Sequence, residues 1–484
     1  MLDKNNHSSY TVSVDLLVNA ISGVNSEKPS LYQHAAEYFR TEPAKKQKLA
    51  LIKAEIQDAK SSVQTKSGKS ARASEQQLEK LNQKYEVERL HQQTHRTRRL
   101  DNAIDVCLDI LSLSEGESFD ETQLKSAKFL STLVLFSPEK TKKLAELHHS
   151  LKPAYKAVLS VRLLDKLVSD GVVKNAYILK NFNADKRYES DATNYECYTQ
   201  AVILPIMLAA IFQDVGLQHP ALIELLEGKE GEKDRFRLLE KQDREEMLAL
   251  NYEYTFDYLK NGLGCQQADS EKEQEIKAFN AAEQRRLKFQ LGLVFDSNSS
   301  KLGSSQIIKI PQIYASVIFS TKRDYLRKSL PTASILITQL AAKKVISAQV
   351  SEVFVNIVGQ FPLGFGIAYI AQNMNAEELG FYEYAIVSRL NPAKSDEPIC
   401  RLVTKNLMFL PHGKTAVVKK EHNLHFIEAR KKLVKIDPKQ LAIIMQKLSH
   451  NFRLEDSHAF VPYYWEPHVY FCVQGNQNLW SKSI

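Results

Sequence analysis

The stretch Ala209-Ala210-Ile211-Phe212-Gln213-Asp214-Val215-Gly216-Leu217 decides how this chain is read. It closes an apolar run that begins at Ala201 and contains Pro205. A bilayer crossing takes about 20 apolar residues, so a run this short predicts a core helix rather than a membrane span. At its end an amide and a carboxylate stand side by side. Asp214 is a good ligand type for a metal ion, whereas the Gln213 amide is a weak, neutral oxygen donor; an imidazole there would be a strong one. The structural reading of Asp214, a helix C-terminal residue hydrogen-bonded nearby, outweighs a ligand role.

The same segment closely resembles the Ala-Ala-Leu-Leu-His-Asp-Ile-Gly-Lys signature of HD-domain metal phosphohydrolases. Gln213 stands in place of the metal-binding histidine and Leu217 in place of the lysine. Further matches follow in order. Asp243-Arg244-Glu245-Glu246-Met247, then Asn251-Tyr252 and Tyr258-Leu259, resemble a helix carrying Glu-Arg, His-Pro and Ile-Leu, with Asn251 at the ligand histidine. Ile310 to Ser320 resembles a helix that ends in a metal-binding aspartate, with Ser320 or Thr321 in that place. Arg323 to Leu330 continues an Arg-Pro-Tyr-Arg-Lys-Ala-Leu run, and Gly359-Gln360-Phe361-Pro362-Leu363-Gly364 resembles a Tyr-Pro-Val-Gly segment. Together these segments, over roughly 155–365, resemble the HD-GYP family, bacterial proteins that hydrolyse cyclic di-GMP at an iron site in a helical bundle. The His-His-Glu and Gly-Tyr-Pro motifs of that family have no counterpart in Leu291 to Gln306, which contains no histidine.

The resemblance implies the bundle, and the residues argue against the chemistry. A hydrolytic two-metal site needs about six His and carboxylate ligands. Of the expected set only Asp214 is present. None of the 13 histidines precedes an aspartate, His148-His149 lies before the bundle, and His219 reads as a loop residue. Gln213, Asp214, Asn251 and Ser320 are therefore the positions of a degenerate site. Paired amides at Gln213 and Asn251 can satisfy one another in place of a metal. No catalytic residue and no cofactor are expected, with iron or manganese entering only if this inactive reading fails.

The leading expectation is a catalytically inactive signalling or scaffold protein, in a cyclic di-GMP pathway if the resemblance extends that far. Three alternatives stand beside it. A nucleotide receptor would need cations, and Arg285, Arg286, Lys322 and Arg323 are the candidates for phosphate binding; read blandly, they are solvated helix faces. The others are an atypical phosphodiesterase and a binder of nucleic acid or an acidic partner. The expected partners are proteins, a second copy of the chain, or a cyclic dinucleotide.

Charge supports the last alternative. The net charge of the 484-residue chain is +8, and from Lys45 to Arg99 there are 14 Lys and Arg against 6 Asp and Glu, so the remainder is close to neutral. Such a segment attracts polyanions, although a solvated helical hairpin is the blander reading. Leu49, Ile52 and Ile56 recur at helical spacing, and Leu78, Leu81 and Tyr85 form a short heptad-like seam. Two long polar helices are predicted, about 44–64 and 74–97. The Gly68-Lys69-Ser70 between them lacks the earlier glycine and preceding strand of a phosphate-binding loop.

Composition is that of an ordinary globular chain, 43% hydrophobic and 25% charged. Five scattered cysteines make no CxxC pair, which suits a reducing compartment, and the first residues lack a secretory pattern. A bacterial cytoplasmic location is the expectation. The predicted fold is mainly α. It has an N-terminal helical region (1–150), an HD-like helical bundle (151–360), a small antiparallel β subdomain (361–435), and a C-terminal helix with an aromatic tail (436–484). Short β-rich runs at Gly366 to Ile370, Tyr384 to Leu390, Ile399 to Thr404 and Thr415 to Lys419 support the subdomain. A helix is predicted from Asp437 to Leu448, and the tail aromatics are expected to dock on an apolar surface.

Overall fold

The computed structural model describes residues 7–23, 28–65, 69–138, 141, 143–181, 187–188, 197–298, 303–373, 375–433 and 461–480. In chain order the helices used below are α1 (Ser9–Ser22), α2 (Leu31–Thr65), α3 (Lys69–Ser114), α4 (Phe119–Leu135), α5 (Leu144–Ser169), α6 (Ala176–Asn181), α7 (Leu204–Ile211), α8 (Pro220–Glu227), α9 (Lys241–Asp257), α10 (Glu273–Asn298) and α11 (Gln306–Ile318). The strands are β1 (Gly366–Gln372), β2 (Glu378–Val387), β3 (Ile399–Leu402), β4 (Thr404–Lys405), β5 (Met408–Phe409) and β6 (Thr415–Val417). The chain is thus mainly helical with a small antiparallel sheet in its C-terminal region, as the residue patterns predict. Among the described residues no helix is long and apolar enough to cross a membrane. The helix predicted from Asp437 to Leu448 lies outside the described residues.

Contacts divide the chain into two compact units. The first comprises 1–18, 109–210 and 299–484; the second comprises 19–108 and 211–298.

In the first unit α5 is buried nearly all round, from Leu151 to Leu167. Polar groups on a central helix of this kind are costly to bury unless they find partners, and several on α5 do. Lys156 donates to the Gln312 side chain of α11 at 2.8 Å. Arg162 and Asp165 join Glu115 and Arg187 in a buried cluster. Arg162 and Arg187 both bond the Glu115 carboxylate, and Arg187 reaches Asp165 at 3.1 Å. Within it the two guanidiniums hold the Glu115 carboxyl below its usual range against the opposing effect of burial.

The apolar run from Ala201 is handled by a local widening. Thr199–Ile203 forms a π-type turn ahead of α7. Pro205 has no N–H to give the Ala201 carbonyl four residues earlier. The phenol of Tyr177 on α6 donates to that carbonyl instead, at 2.9 Å.

The sheet of the first unit has the order β1-β2-β3-β6, all neighbours antiparallel, with β4 and β5 forming a separate two-stranded ribbon. The aromatic tail docks on this sheet. The Trp465 indole stacks on Tyr384 with centroids 5.0 Å apart and donates to the Ala385 carbonyl at 3.1 Å. Glu466 pairs at 2.8 Å with the buried Arg327, whose guanidinium also caps the carbonyls of Val134 and Ser137 at the C-terminal end of α4.

In the second unit α2 and α3 form an antiparallel hairpin longer than the two predicted helices. Buried or half-buried positions run 45, 49, 52, 56, 59 and 63 on α2 and 74, 78, 81, 85, 88 and 92 on α3. This alternation of four and three is a heptad seam, so the short seam visible at Leu78, Leu81 and Tyr85 extends into a two-stranded coiled coil. Lys48 pairs with Glu88 at 2.5 Å across the hairpin, and the Lys53 ammonium lies 5.5 Å from the Tyr85 ring centre.

Candidate functional site

The run that ends at Phe212 turns through Gln213 and Asp214 into a single 3₁₀ turn, Val215–Gln218, and then into α8. Helix α9 packs on this turn so closely that a Cβ on Gly216 would lie 2.3 Å from the Asn251 backbone oxygen. Only a residue without a side chain permits that approach. The turn's polar groups are met from α9. Thr255 takes the Gly216 N–H at 3.0 Å and donates to the Gln213 carbonyl at 3.4 Å. The Asn251 amide donates to the same carbonyl at 3.5 Å.

Gln213 and Asn251 are therefore neighbours. The contact differs from the amide pair expected from sequence: Asn251 reaches the Gln213 main chain, not its side chain. Thr255, four residues on from Asn251, was not singled out from sequence. Its helical spacing on the same face of α9 is the signal that could have found it.

Aromatic rings pack around the turn. Phe212 and Tyr38 each lie against Tyr258, at 5.5 and 5.3 Å between centroids, and Phe39 packs on Tyr258 and His219. The His219 ring stacks on Tyr254 at 3.5 Å and nearly parallel. Its Nδ1 accepts the Ala221 N–H at 3.2 Å, so His219 is the N-cap of α8. Burial lowers the His219 pKa, which favours the neutral imidazole that such a cap requires.

Two phenols complete the surroundings. Tyr32 donates to the Ile211 carbonyl at 2.9 Å, and Tyr38 to the Asp257 carboxylate at 2.9 Å. Burial, with the Asp214 charge adding to it, keeps the Tyr32 hydroxyl protonated far above its ordinary range. Asp214 opens the 3₁₀ turn and makes no side-chain cap to it.

Ser320 belongs to the first unit, where its carbonyl accepts the His148 Nδ1–H at 2.6 Å. Ser137 donates to His148 Nε2 at 2.7 Å, so both ring nitrogens are used. His148 is a core residue, and burial pushes its pKa down to about 4. Of the proposed phosphate-binding cations, Arg286 is turned inward. Its guanidinium is held by Glu283 at 2.8 Å and by Gln290 at 3.2 Å. Arg285 is exposed on α10 in the second unit, whereas Lys322 and Arg323 are exposed in the first. No group of three or more His, Cys, Asp or Glu that could hold a metal ion occurs among the described residues.

No protein-family model, curated protein or solved structure matches this chain.

Proposed function

We propose that this protein is a non-catalytic signalling scaffold of HD-GYP-like descent, in which the former catalytic turn has become a structural joint. The observation that carries this reading is the neutral junction at Gln213, Gly216, Asn251 and Thr255. Hydrogen bonds between main chain, amide and hydroxyl hold α9 against the turn, and a shell of aromatic rings surrounds it. Activating water on a metal takes open coordination positions and several charged or imidazole ligands. An amide and a hydroxyl buried in main-chain contacts do neither job, and Asp214 alone supplies a single carboxylate.

The test is metal analysis of the purified full chain after incubation with Fe²⁺ or Mn²⁺, with a cyclic di-GMP hydrolysis assay on the same sample. The expected result is no stoichiometric metal and no turnover. Two bound metal ions per chain, or turnover abolished by Asp214→Ala, would overturn the reading. Calorimetry with cyclic di-GMP separates the receptor alternative: heat that survives Arg285→Ala, Lys322→Ala and Arg323→Ala excludes those cations as the phosphate contacts.

A second reading is favoured by the coiled coil. Lys46, Lys53 and Lys60 repeat at one heptad position beside the α2 seam, and Arg89 and Arg96 occupy the equivalent position on α3. Such a cationic edge suits an acidic protein or a nucleic acid. A gel shift at two salt concentrations tests the nucleic-acid form, because phosphate contacts weaken steeply with salt.

A further inference from the structure

One face of the C-terminal sheet is an open cleft with a cavity volume of about 600 Å³. The strand register places Tyr369 of β1 opposite Glu383 of β2, and both line the cleft. Phe381 and Val417, 40% and 53% exposed, form apolar walls. Lys405, Lys414 and Lys419 stand exposed at its margin.

The electrostatics are one-sided. Glu383 is the carboxylate among the lining residues, and it is only 4% exposed. Its two oxygens are committed to the backbone N–H groups of Asn406 and Leu407, at 2.5 and 3.2 Å. Those two residues form the β4–β5 turn with φ of 53° and 59°. A left-handed pair is the backbone of a tight hairpin, and it is unfavourable for leucine. Glu383 is thus the brace of that turn and is not directed at the lysines. The three ammonium groups make no ion pair or side-chain hydrogen bond among the described residues. The Tyr369 phenol stays protonated, because burial, with the Glu383 charge adding to it, raises its pKa. It remains a hydrogen-bond donor in the floor.

We propose that this cleft binds a small amphipathic anion. The apolar body lies between Phe381 and Val417, and the carboxylate, sulfonate or phosphate head lies at the cationic margin that carries Lys405, Lys414 and Lys419. The size is that of pockets for small organic ligands, roughly 300–1,000 Å³. The mixture of apolar wall and exposed cations matches a ligand with one anionic end better than a neutral lipid or a cation. This site is independent of the reading of the helical turn, since neither Asn251 nor Asp214 lines it.

The test uses the full chain and 8-anilino-1-naphthalenesulfonate, an aromatic anion whose fluorescence rises on binding. Saturable binding at one site is expected, displaced by dodecanoate and by dodecyl phosphate but not by dodecyltrimethylammonium. The relative strength of the two anions distinguishes a carboxylate from a phosphate ligand. The double variant Lys414→Glu with Lys419→Glu should weaken binding at least 10-fold while the circular dichroism spectrum and melting temperature stay those of the parent. Val417→Asp should do the same from the apolar side. Unchanged affinity in the charge-reversed variant, or displacement by the cationic amphiphile as readily as by dodecanoate, would overturn the proposal.

Discussion

The main chain of Asn251 approaches Gly216 so closely that a methyl group on Gly216 would sit 2.3 Å from the Asn251 carbonyl oxygen. This single approach sets the distance between α9 and the turn after α7, and with it the Thr255 and Asn251 hydrogen bonds to Gln213.

Gly216→Ala should force the two elements apart and strain those two bonds and the one from the Gly216 N–H to Thr255. Overpacking of this kind costs about 1–3 kcal/mol. Urea unfolding followed by circular dichroism measures it, and a variant as stable as the parent would show that α9 yields without loss.

Tyr177→Phe removes the phenol that donates to the Ala201 carbonyl, which Pro205 cannot serve. Ala201 is half-buried, so losing this donor should cost about 1 kcal/mol, the low end for an unsatisfied carbonyl. The melting temperature should fall, and Pro205→Ala in the same background should recover part of the loss by restoring a helical N–H. No recovery would mean that the carbonyl was not the seat of the effect.

His148 makes stability depend on pH. Its folded pKa of about 4 lies below the ordinary value of 6.5, chiefly because burial disfavours the imidazolium. Below pH 6.5 the unfolded chain takes up a proton that the folded chain refuses until about pH 4, so stability falls across that window and levels off beneath it. The full effect is about 3 kcal/mol. Stability against pH for His148→Gln should lose this slope; an unchanged slope would assign it to other groups.

Arg327 ties the tail to the rest of the first unit through Glu466 and the carbonyls of Val134 and Ser137. Arg327→Met should cost about 3 kcal/mol, in the range for breaking a buried pair. Hydrogen exchange should rise at 465–471 before it rises in α5. Uniform protection across both segments would contradict the tie.

Part of this architecture was legible in the residues. The run from Ala201 to Phe212 had to be buried, and its twelve positions include Pro205, which rules out an uninterrupted helix. The short β-rich runs near Gly366 and Ile399 marked strands, and Leu78, Leu81 and Tyr85 marked the α3 seam. The candidate turn was found because Gln213, Asp214 and Gly216 form one contiguous segment. The β4–β5 ribbon went unseen for a local reason: Asn406 suits a left-handed turn position and Leu407 does not, so the turn depends on Glu383, a distant strand residue.

The sequence by itself determined the class of structure, helical with a small antiparallel sheet, because helix and strand periods and apolar runs are local properties. Only the tertiary structure decided that Asn251 bonds the main chain of Gln213, that Arg286 is spent on Glu283, and that His148 is a core residue bonded to Ser320. Each of these depends on which distant groups burial brings within hydrogen-bonding reach. A buried donor takes whatever acceptor packing supplies, and residue type alone does not say which one that is.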